Sequence, residues 1–396
     1  MWLLKLITFV LPWVAIPGIA NPYQDAKEFC LVAGLWTLIF WTLFREPIIA
    51  PTPKNRWIGW CGLSVLASGL YHFYWLFINR SPNQSTLIYN SYTWIPTLNV
   101  VACLLAVFVM AKVYLRHEIT LIALTQWLCI SGALAAAYAI LQALGLDQWY
   151  VQTSTEQSYQ RPIGSFGNPE YLGLYLALIS PLCLLFKAKR YLAYLGLMIV
   201  ALSLTQHPGS WVVAGISVAA SIFSRWWDRL HRWKGLGRWL IGLGLLAALA
   251  LIVQHMLRDE LRVQLWQQAW GFISVPTNGL RQVVPSFTGY GLGAFALLMK
   301  KSTTIWVHNE WLQGLIELGV LGVVCWGMAL LTSTRSFWKY AKVSLIDSGW
   351  FGVWMGWLAA SVVFPIAHWP HLVWIGLCAW AVVEREQEGA AQWAKS

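Results

Sequence analysis

Long apolar stretches separated by short polar connections recur along the whole chain. A helix of about 20 apolar residues crosses a hydrocarbon core about 30 Å thick. Twelve stretches approach that length, over residues 2–20, 29–44, 57–79, 93–115, 118–144, 168–186, 191–206, 210–224, 238–257, 308–332, 346–366 and 370–384. The pattern predicts an all-α polytopic membrane protein with about 12 transmembrane helices, residues 1–396 forming a single integral membrane domain. The longest connection, 258–307, exceeds the roughly 12–15 residues beyond which a loop is usually functional or disordered. Within it, Val263 to Val275 mixes Trp266, Trp270 and Phe272 with Gln264, Gln267 and Gln268. That mixture predicts an amphipathic helix lying along the membrane surface.

Composition narrows the class further. Charged residues make up 11% of the 396 and hydrophobic residues 58%, against roughly 25% charged in an ordinary soluble domain. Such sparse charge excludes a set of soluble domains, a disordered chain and a small disulfide scaffold. All seven Cys fall in apolar stretches with no C-x-x-C pair, and they read as small buried hydrophobes. Many of the 28 Trp flank predicted helix ends. Trp13, Trp57, Trp94, Trp306, Trp369 and Trp374 are expected to anchor there at headgroup level.

The net charge of +11 comes from 27 basic and 16 acidic residues. The basic residues sit between apolar stretches, which marks them as orientation signals and argues against a nucleic-acid partner. With both termini cytoplasmic, nineteen of them fall on the inner side and eight outside. Adding or removing one helix scrambles that alternation. The eight outer residues, Lys27, Arg80, Arg161, Arg258, Arg262, Arg281, Lys300 and Lys301, oppose the bias and need another reason to exist.

Three groups on the outer side could carry chemistry. Gly164 to Tyr171 opens the sixth helix, with Asn168 as cap, Pro169 at the first position and Glu170 at the positive helix end. Arg161 just before it could aim at an anion beside free backbone N–H groups. Val307 to Gln313 opens the tenth helix. The helix dipole at His308 favours a neutral imidazole, which can accept a proton as a general base must. On spacing alone, a single His at a helix start is more often a cap or an interface residue. Glu317, nine residues on, is half a turn out of phase with His308 and reads as a supporting group facing the bundle interior. The third group is Arg258, Arg262 and Arg281, whose guanidinium forks suit phosphate or lipid headgroups. His207, His368 and His371 are three external histidines, but a break between helices separates His368 from His371, and no metal site is assigned. No D-x-D motif is present, which disfavours a metal-dependent nucleotide-sugar transferase.

At these residues the chain resembles the family of O-antigen ligases and Wzy-type O-antigen polymerases. Gly164 to Pro181 matches a G-x-x-x-N-P…P-L helix start. Arg262 with Trp266, followed by Gly289, Gly291 and Gly293, matches an R-x-x-x-W…G-x-G-x-G segment. His308-Asn309-x-x-Leu312-Gln313-x-x-x-Glu317-x-Gly319 matches an H-N-x-x-L-Q-x-x-x-E-x-G block. The blocks cover 161–319 in the family's order. One departure is plain: where members often carry S-R-G after helix seven, this chain has Gln206-His207-Pro208-Gly209.

The resemblance implies a membrane glycosyltransferase of the bacterial inner membrane with its site facing the periplasm. The donor it implies is a glycan on undecaprenyl diphosphate; the acceptor is the hydroxyl of a glycan or lipid A core. The implied roles are His308 as base and Arg161, Arg258, Arg262 and Arg281 on the donor diphosphate. Asn168, Asn309, Gln313, Glu317 and His207 would support them, without cofactor or metal. A ligase is expected ahead of a polymerase or a protein O-oligosaccharyltransferase. A lipid-linked-glycan transporter or flippase is the rival from another class; it expects charged residues deep in several helices, and this chain has few.

Overall fold

A computed structural model of the chain describes residues 2–14, 25–45, 56–78, 85–115, 117–147, 161–231, 260–274, 287–290, 292, 295, 307–342, 344–364 and 366–393. Among them there is no strand, and twelve α-helices carry the fold. They are α1 (Trp2–Val10), α2 (Asp25–Arg45), α3 (Arg56–Ile78), α4 (Ser85–Val109), α5 (Glu118–Ala143), α6 (Pro169–Cys183), α7 (Lys189–Leu204), α8 (Pro208–His231), α9 (Glu260–Ser274), α10 (Glu310–Ala341), α11 (Leu345–Val363) and α12 (Pro370–Trp393). Eleven of the expected spans overlap one of these helices; the expected span 238–257 lies outside the described residues. A helix does form where one was expected over 263–275: it is α9. Among the described residues, three stretches, Thr97–Tyr114, Glu118–Ala143 and Glu310–Lys339, are long and apolar enough to cross a bilayer. Bare apolar side chains such as Phe29, Phe44 and Ile119 are 74–87% exposed, which suits a lipid surface rather than water.

At the centre is α6, in which every residue from Tyr171 to Cys183 is buried. A helix that is apolar all round has to be enclosed, and α5, α7, α8, α11 and α12 enclose it. Elsewhere buried indoles bridge helices by donating to hydroxyls: Trp350 Nε1 to Thr125 Oγ1 at 2.9 Å, Trp354 to Thr334 at 2.8 Å and Trp380 to Ser333 at 3.0 Å. In a lipid environment such a bond satisfies a polar atom that water cannot reach. This corrects part of the anchoring expectation. Trp374 is buried and donates to Thr8 Oγ1 at 3.1 Å, and Trp369 is buried in a stack on Tyr171 with ring centroids 3.6 Å apart. Both are packing residues.

Two expected spans are not continuous helices. The first, 2–20, leaves helical geometry after a short 3₁₀ turn over Leu11–Trp13, and Val14 is extended. Pro12 supplies no N–H to continue the ladder. The tenth, 308–332, breaks at Gly319, whose φ of 68° and ψ of −174° are open only to glycine. A break among apolar helices strips the preceding carbonyls of their partners, and such backbone survives only where protein groups replace them. Here the Tyr290 N–H donates to the Ile316 carbonyl at 2.9 Å, and Ser68 Oγ of α3 donates to the Glu317 carbonyl at 2.7 Å. The approach is close enough that a Cβ on Gly319 would collide with the Phe287 carbonyl, and one on Gly289 with the Glu317 carbonyl.

Gly319→Ala therefore strains the backbone and pushes 287–290 off α10. It should cost about 1–3 kcal/mol and lower the unfolding midpoint of detergent-solubilised protein. Gly196→Ala in α7, where a Cβ would meet nothing within 4 Å, should leave that midpoint unchanged or raise it. Equal midpoints for the two variants would contradict the account of the break.

Candidate functional site

The helices α6, α8, α10 and α12 start at one end of the bundle, and short-range chemistry fixes each start. Asn168 accepts from the Glu170 N–H at 2.8 Å, with Pro169 at the first helical position. His207 precedes Pro208, and its Nδ1 accepts from the Ser210 N–H at 3.2 Å. Asn309 Oδ1 accepts from the Leu312 N–H at 2.9 Å. These are capping interactions at donors that the first helical turn leaves open.

His308 stands just before the Asn309 cap with φ of 57°, a left-handed conformation uncommon outside glycine. The residue before it, Val307, is held from two directions. Trp266 Nε1 of α9 donates to the Val307 carbonyl at 2.9 Å, and the Val307 N–H donates to Gln313 Oε1 at 3.3 Å. Gln313 Nε2 in turn donates to Glu317 Oε1 at 3.1 Å, both side chains being buried. Ala269, Phe295, Val307 and Ile316 form a small apolar core with Trp266, Tyr290 and Leu312 packed on it. The R-x-x-x-W…G-x-G-x-G and H-N blocks are therefore parts of one substructure. The buried face of α9 lies on this core through Ala269 and Trp266, while Gln264, Gln267, Gln268 and Trp270 are exposed.

The Gly164–Tyr171 turn joins the same end through the connector between α11 and α12. Trp369 stacks on Tyr171, and His368 Nε2 lies 3.7 Å from Glu310 Oε2 in the first turn of α10. Burial pushes the His368 imidazole down to about 3, so at neutral pH that contact joins a neutral ring to the carboxyl. His207 is buried, 3.7 Å from Glu170 Oε1 and edge-on to Phe364. Neighbouring Gln206 has φ of 51° and is exposed.

Among the expected donor-binding residues, Arg161 is exposed at the entrance to the Gly164 turn. Arg262 lies on α9 one turn before Trp266, and its side chain is outside the described residues, as are Arg258 and Arg281. Asn168, His207, Asn309, Gln313 and Glu317 all lie at this end.

Several residues escaped the sequence reading. Gln142 of α5 holds the Gly164 turn, its Oε1 accepting from the Ile163 and Gly164 N–H groups at 3.2 and 2.7 Å. A glutamine inside an apolar stretch gave no usable signal. Lys27 did give one, as an outer basic residue without a purpose. It is buried and donates to the Val14 and Ser165 carbonyls at 2.7 and 2.5 Å, above the Phe166 ring. Glu310 and His368 share no sequence pattern, being brought together by tertiary packing.

No family model and no curated protein matches the chain.

Lys27 carries a pH prediction. Burial lowers its amine from the usual 10.5 to about 7. A neutral amine still offers two N–H bonds, matching its two carbonyl partners. Between pH 7 and 10.5 the unfolded chain holds this proton and the folded one does not. Stability should therefore rise with pH across that window, by at most about 1.4 kcal/mol per unit, and be lowest below pH 7. Unfolding midpoints of detergent-solubilised protein measured from pH 6.5 to 9.5 should climb for the wild type and be flatter for Lys27→Met. Parallel profiles would overturn this assignment.

Proposed function

We propose that the chain is a glycosyltransferase of the O-antigen ligase type, spanning a bacterial inner membrane twelve times with its site on the periplasmic face. It moves a glycan from undecaprenyl diphosphate to the hydroxyl of an acceptor glycan or lipid A core. The observation that carries the reading is the hydrogen bond from Trp266 to the Val307 carbonyl. It ties the helix bearing Arg262 to the segment bearing His308, the two sequence blocks that chemistry of this kind requires side by side.

The reaction follows from those groups. The acceptor oxygen attacks the anomeric carbon from the face opposite the diphosphate, and a new C–O bond forms. The bond from that carbon to the diphosphate oxygen breaks, its electron pair staying on the diphosphate. The hydroxyl proton passes to His308, which later releases it to water. One displacement of this geometry inverts the anomeric centre. The outer arginines hold the diphosphate and stabilise the charge that grows on it. The starts of α6, α8, α10 and α12 add the positive ends of four helix dipoles to the same region. A positioned base contributes roughly 10²–10⁴-fold.

His308→Ala should abolish transfer from undecaprenyl-diphosphate glycan in a membrane assay while leaving expression intact; near-normal product would exclude the base role. Arg262→Ala should weaken binding of the diphosphate lipid, whereas Arg225→Ala on α8 should not. Equal loss in both variants would remove Arg262 from the donor site. One added glycan unit on the acceptor identifies a ligase, and a ladder identifies a polymerase.

A further inference from the structure

His308 is held in a backbone conformation that it would not adopt by itself. A non-glycine residue in the left-handed region is disfavoured unless its surroundings dictate it. The groups dictating it here lie on the peptide preceding His308. The Val307 carbonyl, on that peptide, accepts from Trp266, and the Val307 N–H, on the peptide before it, donates to Gln313, so both polar groups of Val307 are committed to side chains. Gln313 can serve only in one orientation, with its oxygen toward Val307 and its amide nitrogen away. An amide has two nearly equivalent faces, and something must choose between them. The acceptor on the nitrogen side is Glu317 Oε1, one turn further along α10.

We propose that Glu317 is a positioning residue for His308, acting through Gln313 and the Val307 peptide, with Trp266 closing the clamp from α9. The proposal rests on the reading of His308 as the base. Glu317 touches no reacting atom in this scheme. Its contribution is an acceptor on the nitrogen side of Gln313, which fixes that amide so that its oxygen faces Val307. The i, i+4 spacing of Gln313 and Glu317 on a helix places the two side chains on one face. Glu317 sits just before the break at Gly319, where α10 is pinned to 287–290 and to Ser68. The relay is therefore anchored at its far end near a point where the helix is braced by two outside hydrogen bonds.

The chemistry predicts a specific pattern of substitutions. Glu317→Gln keeps an oxygen that can accept from Gln313 and preserves the relay. Glu317→Leu removes it. Gln313→Glu sets two carboxylates against each other and removes the donor. The double variant Gln313→Glu with Glu317→Gln restores a donor–acceptor pair in the opposite sense, with the carboxylate at 313 still accepting from Val307.

Two readouts separate this proposal from the reading beneath it. The first needs no substrate: the rate at which diethyl pyrocarbonate modifies His308 in detergent-solubilised full-length protein, followed by mass spectrometry of the His308 peptide. The ring is half-buried, so loosening the clamp should raise that rate at least fivefold in Glu317→Leu and Gln313→Glu. Glu317→Gln and the double variant should stay within twofold of wild type. The second is transfer from undecaprenyl-diphosphate glycan. There kcat should fall about 10²-fold in the two loosened variants, as small misplacements of a catalytic group do. The donor KM should change less than twofold, and the double variant should recover.

Unchanged labelling in Glu317→Leu and Gln313→Glu overturns the relay. So does a double variant no better than Gln313→Glu, which also covers the case in which the single variants merely misfold. If the labelling pattern holds but wild-type protein transfers no glycan, the relay stands and the glycosyltransferase reading fails.

Discussion

A helix that breaks inside an apolar bundle must have its released carbonyls met by other protein groups, and everything at the candidate site depends on how this chain meets that constraint. The break is at Gly319, and the partners are the Tyr290 N–H and the Ser68 hydroxyl. To satisfy it, residues 287–290 lie against α10. That places Trp266 against Val307 and gives Phe295 and Ile316 a small core of their own. The backbone requirement thus assembles two distant blocks of sequence before any substrate contact is considered.

The second organising feature is the shared end at which α6, α8, α10 and α12 begin. Acidic residues stand in the first turns of α6 and α10, where the helix dipole favours them. Each has a histidine from another element within 4 Å: Glu170 beside His207, and Glu310 beside His368. Stacking of Trp369 on Tyr171 links the α11–α12 connector to the Gly164 turn. Lys27 and Gln142 hold that turn by its backbone. The result is a polar rim on an otherwise apolar bundle, fixed mainly by side chains bonding to backbone.

Much of this arrangement was legible in the sequence because it is governed by local rules. Apolar length marks most of the helices, and Asn168-Pro169 marks one helix start through capping chemistry; at α10 the cap is Asn309, not the His308 that its position suggested. The mixture of Trp266, Trp270 and Phe272 with three glutamines marks the amphipathic α9, although the residues it buries are Leu265 and Ala269 and Trp270 is exposed. What stayed hidden is tertiary. Nothing in the string around Gly319 says that its φ is positive, since glycine is common in apolar helices, so 308–332 reads as one uninterrupted span. Trp369 and Trp374 look like interfacial anchors by position alone. Only the packed structure reveals that Thr8 and Tyr171 are waiting for them. Gln142 and the Glu310–His368 contact depend on residues far apart in sequence. Lys27 is intermediate: its charge on the wrong side of the alternation signalled a purpose, while its partners at Val14 and Ser165 required the fold.

The central claim is that the segment carrying His308 and the helix carrying Arg262 form one site for a diphosphate lipid. The most direct measurement is an experimental structure of the full-length protein in lipid nanodiscs with undecaprenyl diphosphate bound. The account predicts the diphosphate between the His308 ring and α9, contacted by Arg262, with the Trp266–Val307 hydrogen bond intact. A diphosphate bound elsewhere, or a His308 ring turned away from α9 into lipid, would contradict it.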